Sequence, residues 1–159
     1  MGLAEDLLRQ AEHLIIYEGT KSSQASLRRA VSTAYYALFH RLTEDAAGRW
    51  PGTAEARTSF ERGFKHGIMR GVSLEFGPTG WKDRRGNRQS VPLPLQRVAK
   101  SFATLQDERH SADYDNSRSW SATDANEILD LTRQAFREWD LIREDPMAGN
   151  YLIAMLLGK

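Results

Sequence analysis

The sequence predicts an all-α protein, an antiparallel up-and-down bundle of four to five helices. Two observations carry this expectation. Apolar residues recur every three or four positions through five successive segments, the spacing that puts them on one side of a helix. Strand-like alternation persists nowhere and no repeat period emerges, so a helical bundle is the economical way to bury those stripes. A chain of 159 residues is the usual size of one domain. With 40% hydrophobic and 27% charged residues it lies outside the disordered regime.

The first helix is expected from about Gly2 to Tyr17, on the stripe Leu3, Leu7, Leu8, Ala11, Leu14 and Ile15, with Glu18 and Gly19 closing it. Ser22 or Ser23 can cap the second, whose stripe Leu27, Val31, Ala34, Tyr35, Leu38 and Leu42 ends near Gly48. Tyr36 and Phe39 lie off that stripe, which suits a central helix or a dimer contact. A third segment, about Glu55 to Phe76, places Phe60, Phe64, Ile68 and Val72 four apart, and its glycines predict a break or bend between Gly63 and Gly67. Residues 77–94 show no period and carry Gly, Pro and four basic side chains, the composition of a long mobile loop. The fourth helix runs from about Leu95 to Asp113. The fifth follows a cap at Ser121 or Thr123 and stops at Pro146. The bundle thus spans 1–145, and 146–159 is an apolar tail or helix that docks on it or serves a partner.

Several function classes fall away. The longest apolar stretch, Tyr151 to Leu157, is far short of a membrane span, and the N-terminus lacks a basic region followed by an apolar core, so a cytoplasmic location is expected. The absence of cysteine removes disulfides and thiolate metal sites. No Gly-rich phosphate loop, GxSxG elbow or His-Glu-x-x-His helix is present, and no cofactor or metal is expected. His40 and Glu44, one turn apart, could grip a metal but suit a surface or interface hydrogen bond better. Charge is segregated: residues 62–100 hold nine Lys and Arg against two Asp and Glu, while 101–145 hold five against eleven. Such a basic block can attract a phosphate backbone or the acidic block of another protomer.

Arg109 is the most informative single residue, because the stripe of the fourth helix passes from Phe102 through Leu105 to position 109. A guanidinium on an apolar face needs a carboxylate, a cleft or a frayed helix end. Asp113, one turn on, can pair with it, and a bound phosphate is the functional alternative. His66 shares a helical face with Ser59, Arg62, Arg70 and Ser73, a basic polar surface that could hold phosphate or simply be solvated. His110 lies about 100° around the helix from Arg109.

Three segments in order, ASLRRAVSTAYYALFH, FKHGIMRGVSLEF and ERHSADYD, resemble the HEPN superfamily of helical domains, in its prokaryotic branch with a Tyr-Tyr-Ala helix and a late Arg-x-x-Ala-Asp-Tyr element. The resemblance covers about Leu3 to Trp139. It implies a bundle of four or five helices, frequent homodimers, and links to RNA, nucleotides and toxin-antitoxin, defence or stress systems. Many members are metal-independent ribonucleases with an Arg, an adjacent polar residue and a His a few positions on. The His serves as general acid or base and the Arg stabilises charge on the phosphate. Arg109 and His110 match the first two, but Tyr114 stands near the position of the catalytic His, and a phenol is a poor base at neutral pH.

The resemblance therefore leads to a non-catalytic HEPN-like module binding RNA, a nucleotide or a protein partner encoded nearby. The candidate binding residues are Arg109, Asp113, Tyr114, His66, Arg62 and Arg70, with Tyr36, Phe39 and His40 at a homodimer interface. Two alternatives stand beside it. One is a ribonuclease toxin using Arg109, His110 and Tyr114 or a substitute His66; the other is an antitoxin or scaffold acting only through protein contacts.

Overall fold

The computed structural model describes residues 2–16 and 23–159, which form seven helices and one two-stranded hairpin. In chain order these are α1 (Leu3–Ile16), α2 (Gln24–Gly48), α3 (Ala54–Glu61), α4 (His66–Glu75), β1 (Trp81–Lys82), β2 (Arg88–Gln89), α5 (Leu93–Tyr114), α6 (Ala122–Ile142) and α7 (Pro146–Leu157). The protein is an all-α helical bundle, with more helices than four or five for two reasons. The third segment breaks at Arg62–Lys65, overlapping the break expected between Gly63 and Gly67 although Gly67 lies within α4, and the C-terminal stretch is itself a helix. None of the helices is long and apolar enough to cross a membrane. The expected close of the first helix at Glu18 and Gly19, and the cap at Ser22, lie outside the described residues.

Helix starts follow hydrogen-bond chemistry. Ser23 Oγ accepts from the Ser26 amide at 3.1 Å at the head of α2, and Thr53 caps α3 through the Ala56 amide. At α6 the cap is Ser121, in a reciprocal arrangement: its Oγ accepts from the Asp124 amide while Asp124 accepts from the Ser121 amide. Two prolines that the sequence reads as loop or stop signals lie in first turns instead. Pro94 is the second residue of α5, and Pro146 opens α7 behind an Asp145 cap, positions where a missing N–H costs nothing.

The chain divides into two compact units. The first comprises Met1–Arg41 and Thr104–Phe136. Its buried side chains include Ala11, Ile15, Leu27, Tyr35, Leu38 and Leu129. On α1 the small residues Ala4 and Ala11 are buried, while Leu3 is exposed and Leu7 and Leu14 border a groove against α2. Gln24 pins the segment before α6, its amide group exchanging hydrogen bonds with both the N–H and the C=O of Trp120.

The second unit comprises Leu42–Ala103 and Arg137–Lys159. Here α4 packs along α7, and Tyr151 is fully buried. Phe76 lies between Tyr151 and Trp81, with ring centroids 4.9 Å from each. Ser73 Oγ donates its single proton to the Met69 carbonyl, so the Tyr151 hydroxyl must donate to Ser73 at 2.7 Å. Stretch 77–94, expected as an aperiodic loop, contains the β1–β2 hairpin, antiparallel with Trp81 opposite Gln89 and Lys82 opposite Arg88. Gly80 is required there, because its φ is +79° and a β-carbon would fall 2.4 Å from the Gln89 carbonyl oxygen.

Asp45 ties α2 to α6 within this unit, accepting from Trp139 Nε1 at 3.0 Å and from Arg143 at 2.5 Å, with Arg49 at 3.3 Å. Burial alone would raise its carboxyl, but the hydrogen bond from Arg143 and the charges of Arg49 and Arg143 outweigh it and hold the group below the ordinary carboxylate range.

Two stability predictions result. Ser73→Ala strands the buried Tyr151 hydroxyl and should cost about 2 kcal/mol, whereas Tyr151→Phe removes the stranded group itself and should cost only about 1 kcal/mol, read from urea midpoints. The folded Asp45 titrates below its unfolded value of about 4, so its contribution is present above about pH 4 and drains away as pH falls through the folded value. Asp45→Asn should therefore lower stability at neutral pH and flatten the acid limb of a pH–stability curve.

Candidate functional site

In the first unit one side of α2 meets the end of α5. Arg28, Ser32 and Tyr36 are spaced by four and form a polar stripe beside the apolar one. Arg28 donates to the Ala112 carbonyl at 2.9 Å and also to the Arg118 carbonyl. Ser32 donates to Asp113 at 3.4 Å, and the Tyr36 hydroxyl accepts from Arg109 Nη1 at 3.3 Å. The stripe therefore receives α5 at three successive turns.

Arg109 sits at the centre of this contact with its side chain only 14% exposed. Nη1 also approaches Asp113 at 3.5 Å, and the guanidinium carbon stands 5.2 Å from the centroid of the Tyr35 ring and 5.7 Å from that of Tyr36. Nε is buried and makes no hydrogen bond, so its compensation comes from the two tyrosine faces and the carboxylate. Nearby, Arg118 pairs with Glu108 at 2.8 Å and lies 3.7 Å from the centroid of the Trp120 ring. Three arginines meet two carboxylates here, and Arg28 is held by backbone carbonyls instead. This end of α5 is a built structural joint, with its arginines already committed to protein partners.

His110 is exposed and its ring lies 5.0 Å from that of Tyr114, itself 67% exposed. Neither makes a described contact with the Arg109 guanidinium. Tyr36, Phe39 and His40 are half-buried and in ring contact in sequence, Tyr36 with Phe39 at 6.3 Å and Phe39 with His40 at 5.3 Å. Tyr36 and His40 also border the α1–α2 groove, a cavity of about 330 Å³.

The other sequence candidates belong to the second unit. Arg62 terminates α3 and is exposed, while His66 opens α4 with Arg70 one turn on. The chain break removes the continuous helical face that was to join them to Ser59, and Ser73 is buried against Tyr151.

A cluster of exposed cations on the second unit lies on the hairpin. Lys82, Arg84, Arg85 and Arg88 are all exposed, and none has an ion pair among the described residues. The one carboxylate between them, Asp83, is consumed by the turn: Oδ1 accepts from the amides of Arg85 and Asn87, and Oδ2 from Gln89. The hydrogen bond from the Asn87 amide leads in lowering its pKa, so it stays ionised and fixed. Lys82 and Arg88 stand directly across the ladder, a like-charge pairing that a bound anion would relieve. Arg88 is steadied by the Thr79 carbonyl at 2.6 Å. Trp81, buried and stacked on Phe76, roots the hairpin, and a cavity of about 570 Å³ opens beside Arg84, Arg85 and Asn87. Among the described residues no three metal-ligating side chains converge.

The sequence singles out Arg109 and Asp113 but not Arg28, Ser32 or Arg118, which complete the joint. The spacing of Arg28, Ser32 and Tyr36 by four is the signal that could have found the α2 side of it. Comparison with protein-family models, curated proteins and solved structures finds no match to this chain.

As a structural joint, Arg109 should matter to folding: Arg109→Ala takes a donor from both Asp113 and the Tyr36 hydroxyl, and should lower stability by roughly 2 kcal/mol. His110→Ala should stay within about 0.5 kcal/mol of the parent. Thermal and urea denaturation measure both.

Proposed function

We propose that this chain is a non-catalytic, HEPN-like RNA-binding module of a toxin-antitoxin, defence or stress system, acting in the cytoplasm as a homodimer. The order of its Tyr-Tyr-Ala helix, glycine-interrupted segment and Arg-x-x-Ala-Asp-Tyr element supports the family reading. The observation that carries the ligand is the hairpin, where four exposed cations surround one carboxylate already used as a turn acceptor. Phosphate oxygens are the complementary chemistry, and the fixed turn lowers the ordering cost of meeting them. The absence of catalysis is supported by the two functional candidates on α5. Arg109 is enclosed by Asp113, Tyr35 and Tyr36, while His110 is exposed against Tyr114 and makes no described contact with the Arg109 guanidinium that would make it the partner base at a transition-state phosphate.

A labelled single-stranded RNA titrated with the protein at increasing salt tests the reading. With four phosphate contacts the affinity should fall by about 50-fold between about 50 and about 200 mM salt, following a slope of roughly 0.7 per contact. Arg84→Glu with Arg85→Glu should abolish binding at low salt without changing thermal stability, and the RNA should be recovered intact. RNA left unbound at low salt, or bound equally by the double variant, removes the RNA reading; cleavage lost on Arg109→Ala would instead establish the ribonuclease.

A further inference from the structure

A second cavity in the Leu42–Ala103 and Arg137–Lys159 unit has the opposite character to the hairpin. It encloses about 310 Å³, at the lower end of the range for small organic ligands. One wall is a stripe of α7, Gly149, Leu152, Ile153 and Leu156, spaced by three and four. The other is Trp50 stacked on Phe60, centroids 5.7 Å apart and planes within 20°. Trp50 is 51% exposed and Ile153 56%, so a large apolar surface stands open to water. The indole is held there by close packing, because a β-carbon on Gly52 would lie 2.7 Å from Trp50 Cδ1.

A single cation completes this lining. Arg49 is anchored by Nη2, which donates to Asp45 and to the Arg143 carbonyl. Its Nη1 makes no hydrogen bond among the described residues and lies 3.8 Å from the position a β-carbon on Gly149 would take. Glycine at 149 therefore keeps the space beside Nη1 open. Asp45 is shared between Arg49 and Arg143, so one carboxylate faces two guanidiniums. Arg143 is also influenced by Asp140 and by Glu144, the latter 3.8 Å away, 87% exposed and screened by water.

We propose that this cavity binds a small apolar carboxylate, with the carboxylate on Arg49 Nη1 and the hydrocarbon or aryl body between Trp50 and the α7 stripe. The volume accommodates about ten non-hydrogen atoms at the ~30 Å³ that a water-sized group occupies in a liquid. An apolar pocket with one oriented polar group is the usual form of such a site. The proposal is independent of the RNA reading, since it uses neither the hairpin nor α5.

Octanoate and 1-octanol, matched in length and differing in charge, are the probes. Each is titrated into the full chain, followed by calorimetry and by tryptophan emission, in which Trp50 is the exposed indole while Trp81, Trp120 and Trp139 are buried. Octanoate should bind saturably at one site with a blue shift, and 1-octanol at least about tenfold more weakly, as expected for a charge-assisted contact. Arg49→Gln should bring octanoate down to the level of the alcohol. Gly149→Leu, which favours the helix and fills the cavity, should abolish binding of both while leaving the melting temperature at or above that of the parent. Absence of saturable octanoate binding, equal affinity for acid and alcohol, or undiminished binding by Arg49→Gln or Gly149→Leu overturns the proposal.

Discussion

The fully buried Tyr151 is the point on which the second unit turns. Its ring supports Phe76, which supports Trp81 in turn, so α7, the end of α4 and the hairpin share one aromatic column. Its hydroxyl is the costly part, because a phenol without water must donate to something. Ser73 can accept only because its own proton goes to the Met69 carbonyl one turn back. Burial raises the Tyr151 pKa, and the bond to Ser73 pulls it partly back, so the phenol remains neutral and the donor direction is fixed. A hairpin of two-residue strands would be marginal alone. Rooted on this column, it can hold like charges opposite one another.

The first unit solves a different problem, how to keep a guanidinium inside. Arg109 is neutralised by Asp113 and sheltered by two tyrosine faces, while Ser32 supplies Asp113 with a second donor. Removing any one member leaves a partly buried charge or dipole without its partner, which is where such networks become expensive. The Tyr-Tyr pair on α2 thus has a divided role: Tyr35 is fully buried in the core, and Tyr36 reaches the joint through its hydroxyl.

Much of the fold was legible because a helix writes its period into sequence. The stripes of α2, α5 and α6, the break near Gly63 and the Ser121 cap all rest on local sequence, which neighbours in the chain determine. The hairpin was not legible, since two-residue strands carry no period and its support comes from Phe76 and Gly80 packing. Pro146 was ambiguous for a physical reason: a proline ends one helix as readily as it starts the next, and the Asp145 cap decides. At the candidate site the Asp113 partner of Arg109 follows from its place one turn away. Tyr36 and Ser32 do not, because they come from 73 and 81 positions earlier than the residues they meet, and only tertiary packing brings them there.

Both units are assembled from separated stretches of chain, and this bears on how the protein is made. Arg133 reaches back to Glu12 across 121 positions, and Arg28 holds carbonyls 84 and 90 positions ahead. During synthesis at about 5 to 20 residues per second, the N-terminal helices wait on the order of ten seconds before the partners that cover them leave the ribosome. Through that interval the apolar stripe of α2 lacks the part of its native cover that α5 supplies. The polar line of Arg28, Ser32 and Tyr36 beside it leaves a nascent helix that is less uniformly greasy than its core role alone would require.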